Sequence, residues 1–155
     1  PSPGVARSFF LDSPVLLIWQ STEAKHTSEY IDHPGWKMDI TRAEDAAVDR
    51  LSSMNWDLTV WNALLQESQT FGRMSKMLEE PSRQSMLASV QSVLNELELQ
   101  ASIRARLCML GTSCVLLPAK ANKPLNEDDL MLISQHLESM NLDSVVTRVA
   151  PQRNI

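Results

Sequence analysis

A proline set between two helical periodicities constrains this chain more than any other feature. Upstream of Pro81, Ala47, Leu51, Met54, Leu58, Trp61 and Leu65 recur at alternating steps of four and three residues, which lines them up along one side of a helix. Downstream, Leu87, Val90, Leu94, Leu97 and Ala101 repeat the alternation. Proline is tolerated in the first turn of a helix, where its missing N–H is not needed, so Pro81 starts a second helix. Two striped helices meeting at Glu80-Pro81 predict an antiparallel hairpin spanning Thr41 to Leu110.

The boundaries of that hairpin have their own signals. Thr41 and Glu44 fit a capping box, and Asp45 adds negative charge near the positive helix end. Unbroken from Thr41 to Glu79, the first helix would be roughly 58 Å long at 1.5 Å per residue, against a diameter of about 40 Å for a domain of this size. The stripe lapses after Leu65 and returns on a shifted face as Phe71, Met74 and Leu78, which predicts a kink near Gly72. Trp56, Val60 and Leu64 form a second apolar face, so the helix is expected to sit between the second helix and a sheet or another protein. Asn55, Asp57, Thr59 and Asn62 are indifferent helix formers, so packing must hold that stretch helical. The second helix is expected to end at Gly111 as C-cap, with Arg104 and Arg106 in its last turns.

Outside the hairpin, Ser8–Leu11 and Val15–Trp19 read as short strands around the turn cluster Asp12-Ser13-Pro14. The second run is apolar throughout, the pattern of a strand covered on both faces. Residues 20–39 are polar and carry Pro34-Gly35, a turn dipeptide; a loop of that length marks a candidate binding surface. Cys114–Leu117 reads as a buried strand ending at Pro118, and Asn126 as the cap of a helix along Leu130, Ile133, Leu137 and Met140. Val145–Val149 is a further strand, giving a βαβ-like unit, with antiparallel pairing of the last strand to Val15–Trp19 as the alternative. The expected fold is α+β, or α/β: a long two-helix hairpin packed on a small mixed sheet. One domain covers residues 1–155, with flexible ends at 1–7 and 151–155, and a start at Pro1 reads as a domain cut from a larger protein.

Composition excludes several classes of function. A net charge of −5 without a run of Lys or Arg lacks the electrostatic footprint of a duplex-binding protein, so nucleic acid is a disfavoured partner. No apolar run approaches the roughly 20 residues that span a bilayer, so no membrane partner is expected. Two cysteines, no secretory signal and no Asn-x-Ser/Thr sequon point to a reducing, intracellular compartment. The chain has only four glycines and none of the glycine-rich phosphate-binding or nucleophile-elbow motifs, so no nucleotide and no cofactor is expected.

Two sets of residues are candidates for function. His26, Glu29, Asp32 and His33, with Glu44 or Asp45 behind them, carry imidazole and carboxylate donors that a divalent metal accepts together, the basis of an alternative reading as a metal-dependent hydrolase or nuclease. Their spacing matches no zinc motif, and acids and histidines in a polar loop are ordinarily solvated. Cys108 and Cys114 read as core thiols. Trp56, Val60 and Leu64, followed by Phe71, Met74 and Met77 at the shifted helix end, form the candidate partner-binding surface, since aromatic and thioether side chains suit adaptable protein contacts. The reading that follows is a non-enzymatic protein–protein interaction or oligomerisation domain, its partner another protein or a second copy of itself.

Overall fold

A computed structural model of the chain describes residues 8–21, 34–108 and 111–150. Among these residues four strands, β1 (Pro14–Trp19), β2 (Ile103–Leu107), β3 (Ser113–Pro118) and β4 (Asp143–Arg148), form one sheet in the order β2-β3-β1-β4. Four helices accompany it: α1 (Pro34–Ser52), α2 (Trp61–Met74), α3 (Pro81–Glu96) and α4 (Glu127–Glu138). The fold is α+β, and the expected mixed sheet is antiparallel at every pairing. β3 and β4 flank β1 and both run antiparallel to it, so they are parallel to each other with α4 between them in sequence. The βαβ-like unit is present, but β1 is inserted into its middle.

The sheet alternation divides the apolar residues between two cores. Leu16 and Ile18 of β1, Cys114 and Leu116 of β3 and Ile103 of β2 point to one face, where Met86, Val90, Val93 and Leu94 of α3 and Leu130, Ile133 and Leu137 of α4 close over them. The stripe along α3 therefore meets the sheet and α4. On the opposite face Leu11, Trp61 and Leu65 pack with Phe9, Leu64, Leu117 and Ala121. The Trp61 indole N–H donates to the Pro118 carbonyl at 2.8 Å, giving a buried polar group the partner it needs.

The helical hairpin lies one helix upstream of its expected place. The first helix begins at Pro34, seven residues ahead of Thr41, whose hydroxyl donates to the Lys37 carbonyl at 2.8 Å from within the helix and caps nothing. It ends at Ser52, and the break falls at residues 53–60. Asp57 is the cause: its carboxylate accepts from the Thr59 N–H at 2.8 Å and starts a short 3-10 turn, so a local side-chain bond outcompetes continuation of the helix. Gly72 lies inside α2, where it leaves room for Leu78; a Cβ there would stand 3.1 Å from that side chain. α1 and α2 run antiparallel, tied by Arg50–Glu67 at 2.5 Å and Asp39–Lys76 at 3.3 Å, and Ala43 alone of α1 is buried.

The helix expected to reach Leu110 stops at Glu96. Glu98 takes a left-handed conformation (φ 58°), the Leu99 N–H bonds the Leu94 carbonyl at 2.9 Å and the Glu98 N–H bonds that of Asn95 at 3.1 Å. This is the paired-bond helix stop that glycine usually occupies, with Leu99 folding back on Leu94. Arg104 and Arg106 consequently lie on β2. Gly111 does adopt a left-handed φ of 65°, but in the connection from β2 to β3. At α4 the expectation holds: the Asn126 carboxamide accepts from Asp128 and Asp129, and Asn141 (φ 60°) ends the helix. Ser8–Leu11 forms no strand.

Candidate functional site

The residues singled out from the sequence do not make one surface. Val60 and Met77 are buried at 2% and 5% exposure, while Leu64 and Phe71 are half-buried. Trp56 sits in the link between α1 and α2, its indole N–H on the Leu51 carbonyl at 3.2 Å and its ring centroid 6.4 Å from that of Phe9. Met74 is the member that stays exposed. The expected second helical face dissolves because Trp56, Val60 and Leu64 fall on a link, a 3-10 turn and a helix in succession. His26, Glu29, Asp32 and His33 lie outside the described residues. Glu44 and Asp45 are exposed on α1, and among the described residues no three potential ligands converge.

Burial holds the Cys114 thiol protonated, its pKa pushed up to about 12, and raises that of Cys108 as well; neither has the low-pKa setting of a reactive cysteine. A cavity of about 360 Å³ beside Trp61, lined by Thr59, Asn62 and Lys120, places no acid or base opposite the lysine.

A different surface is built by β1 and β4. Along the face opposite α3 and α4, register places Arg104 and Arg106 of β2, Leu117 and Val115 of β3, Val15, Leu17 and Trp19 of β1, and Val145 and Thr147 of β4 side by side. Helix α2 covers the β2 half through Trp61 and Leu65, held there by Arg106, whose Nε donates to the Leu65 carbonyl at 2.9 Å and the Ser68 hydroxyl at 3.0 Å. The β1–β4 half has no helix over it among the described residues. Leu17, Trp19 and Val145 are 37%, 39% and 46% exposed, with Val115 half-buried beside them. β1 was expected to be covered on both faces; an unbroken apolar run hid the alternation. Burial alternates from Asp143 to Thr147, but the residue types of β4 do not, since two polar residues, two valines and two polar residues follow one another, so the openness of this side of the sheet left no period-2 signal in the sequence.

The two sheet edges differ in chemistry. In antiparallel ladders, alternate residues direct both backbone groups to the same neighbour. Cys108 donates to the Ser113 carbonyl and Ala119 to that of Ser102, so the even residues of β2 face β3 and Ile103, Ala105 and Leu107 face outward. There the arginines curl round: Arg104 Nη1 donates to the Ile103 carbonyl at 3.2 Å, Arg106 Nη1 to the Ala105 carbonyl at 2.8 Å, and the Ile103 N–H itself bonds Leu99. Burial, with a smaller effect of neighbouring Arg104, lowers the Arg106 pKa, consistent with a guanidinium drawn against the protein. A cleft of about 570 Å³ flanked by Gln69, Leu87 and Gln91 recesses this edge. At the other edge, Gln20 donates to the Thr112 carbonyl, which sets the even residues of β1 toward β3 and the odd ones toward β4. Ser144, Val146 and Arg148 therefore turn their N–H and C=O groups outward, and among the described residues no hydrogen bond reaches those groups.

Comparison with protein-family models, curated proteins and solved structures yields no match. None of the described helices is long and apolar enough to cross a membrane.

Proposed function

We propose that this chain is a non-enzymatic protein-interaction domain, and that the uncovered half of its sheet receives an amphipathic helix of a partner protein. The observation that carries the reading is the cluster Leu17, Trp19 and Val145, a contiguous apolar surface centred on Leu17 between Val115 and Val145, with the Trp19 indole at its end, on a face whose other half is already covered by a helix. α2 supplies the template: its Trp61 and Leu65 sit on the sheet while its polar side faces outward, and the bare half continues that surface. A helix with apolar residues at three- and four-residue spacing completes the layer by the same packing.

A photoreactive amino acid at Val145, compared with one at Val48 on the exposed side of α1, tests this directly. The expected result is an adduct at Val145 whose crosslinked peptide has a helical apolar stripe, absent at Val48. Equal labelling at both positions, or adducts mapping to segments without such a stripe, overturns the reading.

A further inference from the structure

We infer that β4 is a dimerisation edge, which pairs antiparallel with β4 of a second copy about a two-fold axis through Val146. Three observations carry this. First, the edges are treated oppositely: β2 has its Ile103 and Ala105 carbonyls occupied by Arg104 and Arg106 and is recessed between α2 and α3, whereas among the described residues nothing bonds the outward groups of Ser144, Val146 and Arg148 on β4. Capping one edge with charged side chains is a means of preventing strand addition, and its absence on the other leaves a template.

Second, the surroundings of β4 select its ligand. Glu127 reaches Arg148 at 3.0 Å and Ser134 reaches Ser144 at 2.6 Å, which runs the 127-131-134 stripe of α4 along β4. Met131, 50% exposed, thus stands beside the edge on the core side, and Val145 on the outer side. The incoming strand must offer an apolar side chain on each face at its centre. β4 itself does so with Val145 and Val146, flanked by Ser144 and Thr147.

Third, the register closes. Only residues of the same parity face each other across a two-fold normal to the sheet, and centring on Val146 sets Ser144 against Arg148 of the second copy. All the outward N–H and C=O groups of Ser144, Val146 and Arg148 are then paired reciprocally. The sheet becomes continuous through both chains, the two copies of α4 lie on one side, and the two Leu17–Trp19–Val145 clusters lie side by side on the other. The dimer goes beyond the helix-docking reading and uses the edge of the sheet, not its face.

Sedimentation velocity over a concentration series, with residue-resolved amide hydrogen exchange, tests it on the whole chain. Dimerisation is expected to slow exchange at Ser144, Val146 and Arg148 at least tenfold between the dilute and concentrated ends, with Val145 and Thr147, already bonded to β1, changing little. Met131→Lys, at an exposed position that leaves the melting temperature nearly unchanged, is expected to raise the dimer dissociation constant at least tenfold. Trp19→Ser, on the face, is expected to leave it within threefold while removing the Val145 adduct. A monomer at all concentrations, a dimer in which those three amides exchange unchanged or that tolerates Met131→Lys, or protection of the edge only by an extended peptide of another protein overturns the proposal without touching the face reading.

Discussion

Trp56 and Trp61 stand five residues apart and meet the same phenylalanine, with ring centroids 6.4 Å and 6.0 Å from that of Phe9, yet they differ in what their loss would do. Trp61 is buried, fills the second core and satisfies the Pro118 carbonyl, so Trp61→Phe is expected to cost about 1–3 kcal/mol by orphaning that acceptor. Trp61→Ala should cost about 3–5 kcal/mol by adding a cavity. Trp56 is half-buried, and Trp56→Ala should cost less than Trp61→Ala, with urea denaturation ranking the three variants. Cys114 links stability to pH. Burial raises its pKa to about 12 from the reference of 9.0, so the folded chain holds that proton more tightly than the unfolded one. The stabilisation is complete below pH 9 and is lost as pH rises from there toward 12, by at most about 1.4 kcal/mol per pH unit. Denaturation midpoints from pH 8 to 11 should fall less steeply for Cys114→Ala than for the parent chain, after allowing for its lower starting stability. At this scale the sequence was informative about burial of Cys114 and Trp61, the latter on the apolar stripe, and silent about the hydrogen-bond acceptor of Trp61, 57 residues away on the sheet.

At the scale of elements, the helix ends decide the topology. Glu98 holds a left-handed conformation that favours glycine, so Glu98→Gly is expected to stabilise the chain by about 0.5–1 kcal/mol, seen as a raised denaturation midpoint with unchanged slope. Asn126→Ala removes the acceptor for two backbone N–H groups of α4 and should cost about 1 kcal/mol in the same assay. These two sites also show why one boundary was legible and the other was not. The α4 cap is written in side chains within three residues of the helix start. The end of α3 depends on Leu99 returning to Leu94 in the core beneath Ile103, a contact that rewards a turn at Glu98 although no breaker residue is there. Beyond it, Ile103–Leu107 alternates apolar and basic residues strictly, the period-2 pattern of a strand, a local signal that the helical stripe running to Ala101 overrode, and β2 pairs with β3 accordingly.

Across the whole molecule, the asymmetry of the sheet is what both proposed contacts rest on. Among the described residues one face is roofed by α3 and α4, the other only over β2 and its neighbour, and one edge is capped while the other is open. Trp19→Ala is expected to cost about 1–2 kcal/mol of stability, since the ring is 39% exposed, while weakening the proposed helix docking by about 2 kcal/mol or more, as loss of a large aromatic contact in an interface does. Parallel chemical denaturation and binding measurements on that variant separate the two terms.

Much of what was encoded locally came through in the residues themselves: the strands at Val15–Trp19 and Cys114–Leu117, the helix from Asn126 to Asn141, the start of α3 at Pro81, and the α+β class. Each depends on short-range periodicity, on a cap or on a proline, and these act over a few residues. Other features belonged to the folded chain. The insertion of β1 between β3 and β4 and the exposure of Leu17 and Trp19 turn on contacts between segments far apart in sequence. The break between α1 and α2 at Asp57 and the strand of Arg104 and Arg106 rest instead on a local bond and a local alternation that the helical stripe overrode. An apolar strand reads the same whether a helix covers its second face or not, because the cover is supplied by another part of the chain, here α2, whose reach stops at the β2 side of the sheet.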